Sequence, residues 1–271
     1  MPELPEVETT SRGIKPHIEQ QSIRAITVRN GKLRWPVPED ALQTLIGQQL
    51  SKVERRAKYL LLHCETGYIV LHLGMSGNLR IVDTHQAASK HDHIDIAFAN
   101  SKTLRLNDPR RFGCCLYQSY ADGEHPLLAN LGPEPLSDAF NLDYLYQLSR
   151  GKKQAVKSWI MSNPTVVGVG NIYAAESLFK AGIHPKRAAG NISRQRYQQL
   201  IIAIQQTLEQ AITQGGTTLR DFVNSEGKPG YFQQTLQVYG REGQNCYQCG
   251  TIIRSIKLAQ RSTYYCSQCQ K

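Results

Sequence analysis

The sequence predicts an α+β protein of several domains: an antiparallel β-sandwich preceded by one helix, then a helical domain, then a small module stapled by four cysteines. Three observations carry this. Short β-branched and aromatic runs, separated by turn signals, fill residues 22 to 120. A helical period replaces them after the break at Gly132-Pro133. Two Cys-x-x-Cys pairs then close the chain.

Taken in order, Val7, Ile14 and Ile18 recur on one face between Pro5 and Glu19, which predicts an N-terminal helix. The strand runs are Ile23-Ile26-Val28, Tyr59 to Leu62, Tyr68 to Leu71, Ile94 to Phe98 and Cys115 to Tyr117. Asn30-Gly31 and Glu65-Thr66-Gly67 supply turns between them, and many short strands without long helices suit a sandwich. Leu131-Gly132-Pro133-Glu134-Pro135 reads as an interdomain linker. Beyond it, Tyr144-Leu145-Leu148, Val156-Trp159-Ile160 and Ala175-Leu178-Phe179 fit short helices. From Arg194 to Gln214 a longer helix carries the stripe Tyr197, Leu200, Ile201, Ile204, Leu208 and Ile212, a pattern of core packing. Gly215-Gly216 stops it. The expected domains are 1–131, a linker 132–136, a helical domain 137–230 with a glycine-bearing loop 217–231, and a module 237–271.

Cys246-Tyr-Gln-Cys249 and Cys266-Ser-Gln-Cys269, sixteen residues apart, have zinc-ribbon spacing. Four thiolates in a tetrahedron suit Zn²⁺, and with every position taken by sulfur the ion is structural. It replaces a hydrophobic core that about 35 residues cannot build alone. The competing reading, two disulfides or redox pairs, finds no thioredoxin-like context. Cys64, Cys114 and Cys115 read as buried thiols.

With 32 Lys+Arg against 22 Asp+Glu, the chain of 271 residues carries a net charge of +10, which favours a polyanionic partner. From Lys228 to Lys271 there are six basic residues and one acidic one, so half of that charge lies at the C-terminal end. No apolar run approaches the roughly 18 residues of a membrane span. The acidic, proline-rich N-terminus resembles neither a signal nor a transit peptide, so a cytoplasmic protein is expected.

A Met followed by Pro is normally trimmed, which would leave Pro2 with a free secondary amine. Such an α-amino group titrates near pKa ~8, so a useful fraction is unprotonated at neutral pH. Attack on a sugar aldehyde carbon, with loss of water, would give an iminium, an electron sink, with Glu3 beside it to move protons. From these residues alone, an extended N-terminus leading into Pro5-Glu6 is the commoner explanation.

The wording of the stretch shifts the balance. Met1-Pro-Glu-Leu-Pro-Glu-Val-Glu8 resembles the opening of the bacterial formamidopyrimidine-DNA glycosylases. The resemblance runs on through Arg56-Ala-Lys58-Tyr-Leu, His72-Leu-Gly-Met75-Ser-Gly, Lys90-His91-Asp-His93 and Asp108-Pro-Arg-Arg111-Phe112-Gly. It continues in Val166-Val-Gly-Val-Gly-Asn171, Gly215-Gly-Thr-Thr-Leu, Gly227-Lys-Pro-Gly-Tyr-Phe232, Gln237-Val-Tyr-Gly-Arg241, Ala259-Gln-Arg261 and the four cysteines. These islands span the chain in the family's order.

The resemblance implies a β-sandwich, a helix–two-turn–helix domain and a zinc-finger β-hairpin. It implies release of oxidised purines (8-oxoguanine and formamidopyrimidines) from duplex DNA, followed by strand cleavage through β,δ-elimination. Pro2 would be the nucleophile at C1′ and Glu3 would assist ring opening. Lys58 would donate the proton in β-elimination, and Arg261 would serve δ-elimination. An Arg is a reluctant acid, so its electrostatic role as a phosphate clamp is the firmer expectation. His91, Arg111, Lys152 and Asn171 match DNA-contacting positions. Met75, Arg111 and Phe112 match the residues that fill the hole left by the extruded base, with Arg111 bonding the orphaned cytosine. The loop 217–231 matches the segment that closes over that base.

Read without the family, Lys58 is a strand-start lysine, Arg261 a solvated hairpin charge, and Met75 and Phe112 core packing. His91-Asp-His93 lacks a third ligand for a metal. The glycines at 168 and 170 suit backbone-led phosphate binding as well as a plain turn. The partner expected is lesion-bearing duplex DNA, the cofactor one Zn²⁺, and the state a monomer. The resemblance leaves two other functions open: that of a sister enzyme of the same fold, an endonuclease VIII-like glycosylase of oxidised pyrimidines, and that of a non-catalytic zinc-containing DNA-binding protein.

Overall fold

The computed structural model describes residues 2–217 and 235–271. Among these residues the chain forms two compact units, one of residues 2–129 with 214–217, the other of 130–213 with 235–271.

In the first unit, α1 (Leu4–Ile18) opens with a capping box, in which Glu3 is the N-cap and Glu6 the partner three residues on. Nine strands follow: β1 Gln21–Val28, β2 Gln49–Leu50, β3 Lys52–Arg56, β4 Tyr59–His63, β5 Gly67–His72, β6 Asn78–Asp83, β7 Asp92–Phe98, β8 Lys102–Asn107 and β9 Cys114–Ser119. A short helix, α2 (Glu39–Gln43), separates the first two strands, and α3 (Pro126–Ala129) ends the unit's first stretch. The strands make two antiparallel sheets, ordered β2-β1-β7-β8-β6 and β3-β4-β5-β9. Ile23, Ile96 and Leu104 from one sheet meet Leu60, Leu62, Ile69 and Leu71 from the other, with Val7, Ile14 and Ile18 of α1 in the same core. This is the predicted sandwich, with its helix.

Strands β3, β6 and β8 escape the sequence reading because charged residues interrupt their alternation. Arg105 on β8 is the clearest instance. It is 2% exposed, so it cannot be a solvated face. Its guanidinium forks onto both carboxylate oxygens of Asp95, each at 2.8 Å, and donates to the carbonyls of Ala87 (3.0 Å) and Gln86 (2.9 Å). Asp92 accepts from Arg80, Asn107 and Ser89. Burial works to raise both carboxyls, but these donors overcome it and hold Asp92 and Asp95 below the ordinary range.

The second unit contains α4 (Leu142–Ser149), α5 (Val156–Ile160), α6 (Asn171–Lys180) and α7 (Arg194–Thr213), followed by the hairpin β10 (Arg254–Leu258) and β11 (Arg261–Tyr265). Tyr197, Leu200, Ile201, Ile204 and Leu208 of α7 are buried as the stripe predicts, while Ile212 is half-buried. Gly215 and Gly216, with φ of +75° and +85°, take the left-handed geometry that ends such a helix. The segment expected as an interdomain linker is hydrogen-bonded to residues of this unit. Gly132 N–H donates to the Asn163 carbonyl (2.8 Å), Val167 N–H to that of Pro133 (3.2 Å), and Gln205 Nε2 to that of Pro135 (3.2 Å). No helix among the described residues is long and apolar enough to cross a membrane.

Arg105→Met should therefore destabilise the first unit by about 3–5 kcal/mol, because Asp95 is left buried without its fork. Depressed carboxyls contribute stability that is complete above about pH 4 and lost as pH falls through their native values. Thermal unfolding across acid pH should accordingly show a shallower loss in the variant than in the wild type.

Candidate active site and metal centre

Pro2 and Glu3 lie buried at the head of α1. Glu6, fully buried, holds this end in place. Its Oε2 accepts the Glu3 N–H at 2.8 Å and its Oε1 accepts the Thr217 N–H at 2.8 Å. Gly216 backs directly onto it, since a Cβ there would stand 3.1 Å from Glu6 Cγ. Of the loop expected at 217–231, only Thr217 belongs to the described residues.

Lys58 sits in the turn between β3 and β4, after Ala57 with its left-handed φ of +56°. That turn is braced from α1. Glu8 accepts from Arg55 Nε at 2.7 Å, and Arg55 Nη1 donates to the Ala57 carbonyl at 3.1 Å. Opposite, burial pushes His72 down to about 4, with the charges of Lys58 and Arg34 adding to the effect. His72 is thus a neutral imidazole at physiological pH, and its Nδ1 accepts the Gly74 N–H at 2.9 Å.

Met75 and Phe112 are not core residues: 38% and 46% of their surface is exposed. Their two loops touch backbone to backbone. A Cβ on Gly74 (φ +62°) would lie 2.4 Å from the Phe112 carbonyl carbon, and one on Gly113 would lie 2.6 Å from the His72 carbonyl oxygen. Asp108, with no exposed surface, joins them. Its Oδ1 accepts from Ser76 Oγ and its Oδ2 from the Gly113 N–H, both at 2.8 Å. Its N–H donates to the His91 carbonyl (3.0 Å), and its carbonyl accepts from Arg111 N–H (3.2 Å) and His93 Nε2 (2.8 Å). The loops of Met75 and Phe112 are thereby joined through the Asp108 carboxylate, and the backbones of His91 and Arg111 through its main chain. Arg111 has φ +56° and is exposed, whereas the neighbouring Arg110 lies over the Phe112 ring at 5.1 Å.

In the second unit, Asn171 is the first residue of α6, after the N-cap Gly170. Its Oδ1 accepts from Lys157 Nζ at 2.5 Å, and its Nδ2 donates to the Ser262 carbonyl at 3.1 Å. Lys157, 1% exposed, also donates to Thr263 Oγ1 at 2.8 Å. The head of α6 is therefore locked to β11, where Arg261 is the first residue. The hairpin turn before it uses Ala259 and Gln260 at φ +44° and +63°, a conformation that side chains adopt at a cost. Glu176, further along α6, accepts the N–H groups of Gln237, Val238 and Tyr239 at 2.8–3.0 Å, and burial still pushes its carboxyl up. Lys152 is exposed in the loop after α4, where its carbonyl accepts the Gly190 N–H at 2.8 Å.

The four knuckle sulfurs lie within 4.8 Å of one another. Cys246 and Cys269 are 3.9 Å apart, and Cys249 and Cys266 are 3.5 Å apart. Bonds of about 2.3 Å to a tetrahedral Zn²⁺ put sulfurs about 3.8 Å apart, whereas a disulfide needs about 2.05 Å. The set fits zinc.

Family models match the chain in three parts: the formamidopyrimidine-DNA glycosylase N-terminal domain over residues 1–115, its H2TH domain over 131–223, and a zinc finger found in FPG and IleRS over 243–271. The formamidopyrimidine-DNA glycosylase of Marinobacter nauticus is 58% identical over 271 residues, with both chains covered completely. That settles the family. The chain belongs to the formamidopyrimidine-DNA glycosylases. A Pseudomonas putida relative is 57% identical over the same 271 residues, again with 100% of each chain covered. Among solved structures, the Thermus thermophilus protein aligns with a TM-score of 0.89 at 36% identity over 99% of this chain and 98% of that one. The Lactococcus lactis enzyme in complex with an abasic-site DNA aligns at 0.91 and 32%, covering 99% of each.

This glycosylase is thus a base-excision repair enzyme for oxidised purines, with an accompanying AP lyase activity, and its four C-terminal cysteines hold one structural zinc ion. Within the first unit the fold ties the Pro2–Glu3 head and the Lys58 turn to the same helix. Within the second it joins Asn171 to the strand of Arg261. The sequence alone gives Glu6, Asp108 and Lys157 no anchoring role. A buried acid or lysine shows no local pattern, although Glu6 three residues after Glu3 is a capping-box signal.

Removing the zinc with a chelator should release four titratable thiols, abolish the hairpin's circular-dichroism contribution and weaken duplex binding, with recovery on adding Zn²⁺. Retention of full DNA affinity after metal loss would contradict a structural role for the ion.

Proposed function

We propose that Pro2 is the nucleophile of this glycosylase and acts through its unprotonated amine after Met1 is removed. The observation that carries this is the anchorage of the Pro2–Glu3 head by the buried Glu6, which holds one N-terminal backbone group in a fixed place. The amine attacks C1′ of the damaged nucleotide and the base departs. The resulting iminium makes the C2′ proton acidic, so β-elimination and then δ-elimination cut the strand on both sides of the lesion.

Glu3 assists ring opening and the proton transfers that follow. Lys58 donates in β-elimination, and the neutral His72 beside it adds no second positive charge to the turn. Arg261 clamps a phosphate and serves δ-elimination. Asn171, at the head of α6, binds a phosphate flanking the lesion, and Lys152 and His91 add backbone contacts. Met75 and Phe112 wedge into the stack when the nucleotide is flipped out. Arg111 bonds the orphaned cytosine. Arg110 competes for that last role, because its guanidinium, not that of Arg111, stacks on the Phe112 ring.

In domain terms, residues 1–131 form the catalytic domain and 137–230 the helical DNA-binding domain, with 217–231 closing over the extruded base and 237–271 the zinc finger. The substrate is duplex DNA carrying 8-oxoguanine or a formamidopyrimidine. The enzyme works as a monomer in the cytoplasm, at the nucleoid.

Borohydride trapping on a duplex with one 8-oxoguanine opposite cytosine tests the assignment. Processed enzyme should give a covalent adduct that maps to Pro2, at a rate that rises with pH towards the α-amino value of about 8. Protein that retains Met1 should give none. Base release without an adduct would mean that water, not Pro2, is the nucleophile.

A further inference from the structure

We infer that Asp108 is the positioning residue for nucleotide extrusion: it couples the Met75 and Phe112 loops so that they enter the base stack as one wedge. The inference rests on the wedge reading of Met75 and Phe112 given above.

Both exposed apolar side chains sit on loops, where each would ordinarily move on its own. A wedge has to hold its shape while it displaces stacked bases, a change that costs a few kcal/mol. Three connections remove that freedom. Asp108 Oδ1 takes the Ser76 hydroxyl, one residue after Met75, and Oδ2 takes the Gly113 N–H, one residue after Phe112. Ser76 Oγ in turn accepts the Arg110 N–H at 3.2 Å, so the bridge is made in both directions. Gly74 and Gly113 also pack against the Phe112 and His72 backbone too closely for either to carry a Cβ. The same residue's main chain holds the His91 carbonyl and the Arg111 N–H, so the neighbouring DNA contacts share the anchor. Buried acceptors used this fully rigidify what they bind.

Asp108 touches no reacting atom, and its loss should spare chemistry that needs no extrusion. Three readouts separate the possibilities. The first is stopped-flow fluorescence of a 2-aminopurine beside the lesion, which follows unstacking. The second is single-turnover release of 8-oxoguanine from duplex. The third is borohydride trapping on a single-stranded abasic oligonucleotide, where no base must be flipped.

Asp108→Ala should slow unstacking and base release by about 10²-fold, the size of effect that a misplaced site commonly produces. Trapping on the single strand should stay within about twofold of wild type on the same reasoning. Ser76→Ala removes only the bridge and should give a smaller defect of the same kind, which keeps the test available if Asp108→Ala folds poorly. Asp108→Asn, which can offer its oxygen to Gly113 and its amide to Ser76, should recover most of the rate.

Parallel loss in all three readouts for Ser76→Ala, or no loss in unstacking, would overturn the positioning role. Met75→Ala and Phe112→Ala serve as controls. If neither slows unstacking, the wedge itself is misassigned and the role of Asp108 falls with it. If both do and the Asp108 and Ser76 variants do not, the wedge stands and the coupling is refuted.

Discussion

The carboxylate of Glu6 carries two backbone N–H groups at once, one on each oxygen, and much of the candidate site depends on that division. One N–H belongs to Glu3, at the head of α1. The other belongs to Thr217, 211 positions away, just beyond the glycines that end α7. An unfolded chain would satisfy these groups with water. In the fold a fully buried carboxylate must have its donors, so the N-terminus and the start of the 217–231 segment are bound to the same side chain. Helix α1 extends the effect, since Glu8 reaches Arg55 and through it the turn of Lys58. A nucleophile on a chain terminus would ordinarily be among the least ordered groups in a protein. Here Pro2, the proposed nucleophile, lies just before the N-cap of a helix packed into the sandwich core.

The second unit solves a similar problem with a buried cation. Lys157 has almost no exposed surface, and its ammonium is shared between Asn171 and Thr263. The arrangement orients the Asn171 amide at the head of α6 and fixes the strand on which Arg261 lies. Glu176 secures the segment that leads into the first knuckle. The zinc ion supplies the remaining order, because few apolar residues pack around the hairpin.

Legibility in the sequence followed the range of the interactions. The zinc ligands were readable from spacing alone, since each pair lies within one short turn. The α7 stripe and the α1 face were readable because helical periodicity is local. Strands β6 and β8 were not, because Arg80 and Arg105 look like surface charges until Asp92 and Asp95 are brought beside them. The chemistry of Pro2, Glu3, Lys58 and Arg261 came from family resemblance, since each has a bland explanation when read alone. The anchors Glu6, Asp108 and Lys157 were hidden for a physical reason. Their roles are defined by partners that lie from a few to more than two hundred residues away, and apart from the capping-box spacing of Glu3 and Glu6, motif spacing does not reveal them.

Glu6→Gln tests the central constraint most directly, because a glutamine has one acceptor oxygen for two N–H donors and turns an N–H₂ towards the other. Single-turnover adduct formation on an abasic duplex should fall about tenfold or more, the equivalent of leaving one buried donor unpaired at about 1–3 kcal/mol. Affinity for the same duplex, measured in parallel, should hold. An adduct rate equal to that of the wild type would contradict the account, since the nucleophile would then be placed by something other than Glu6.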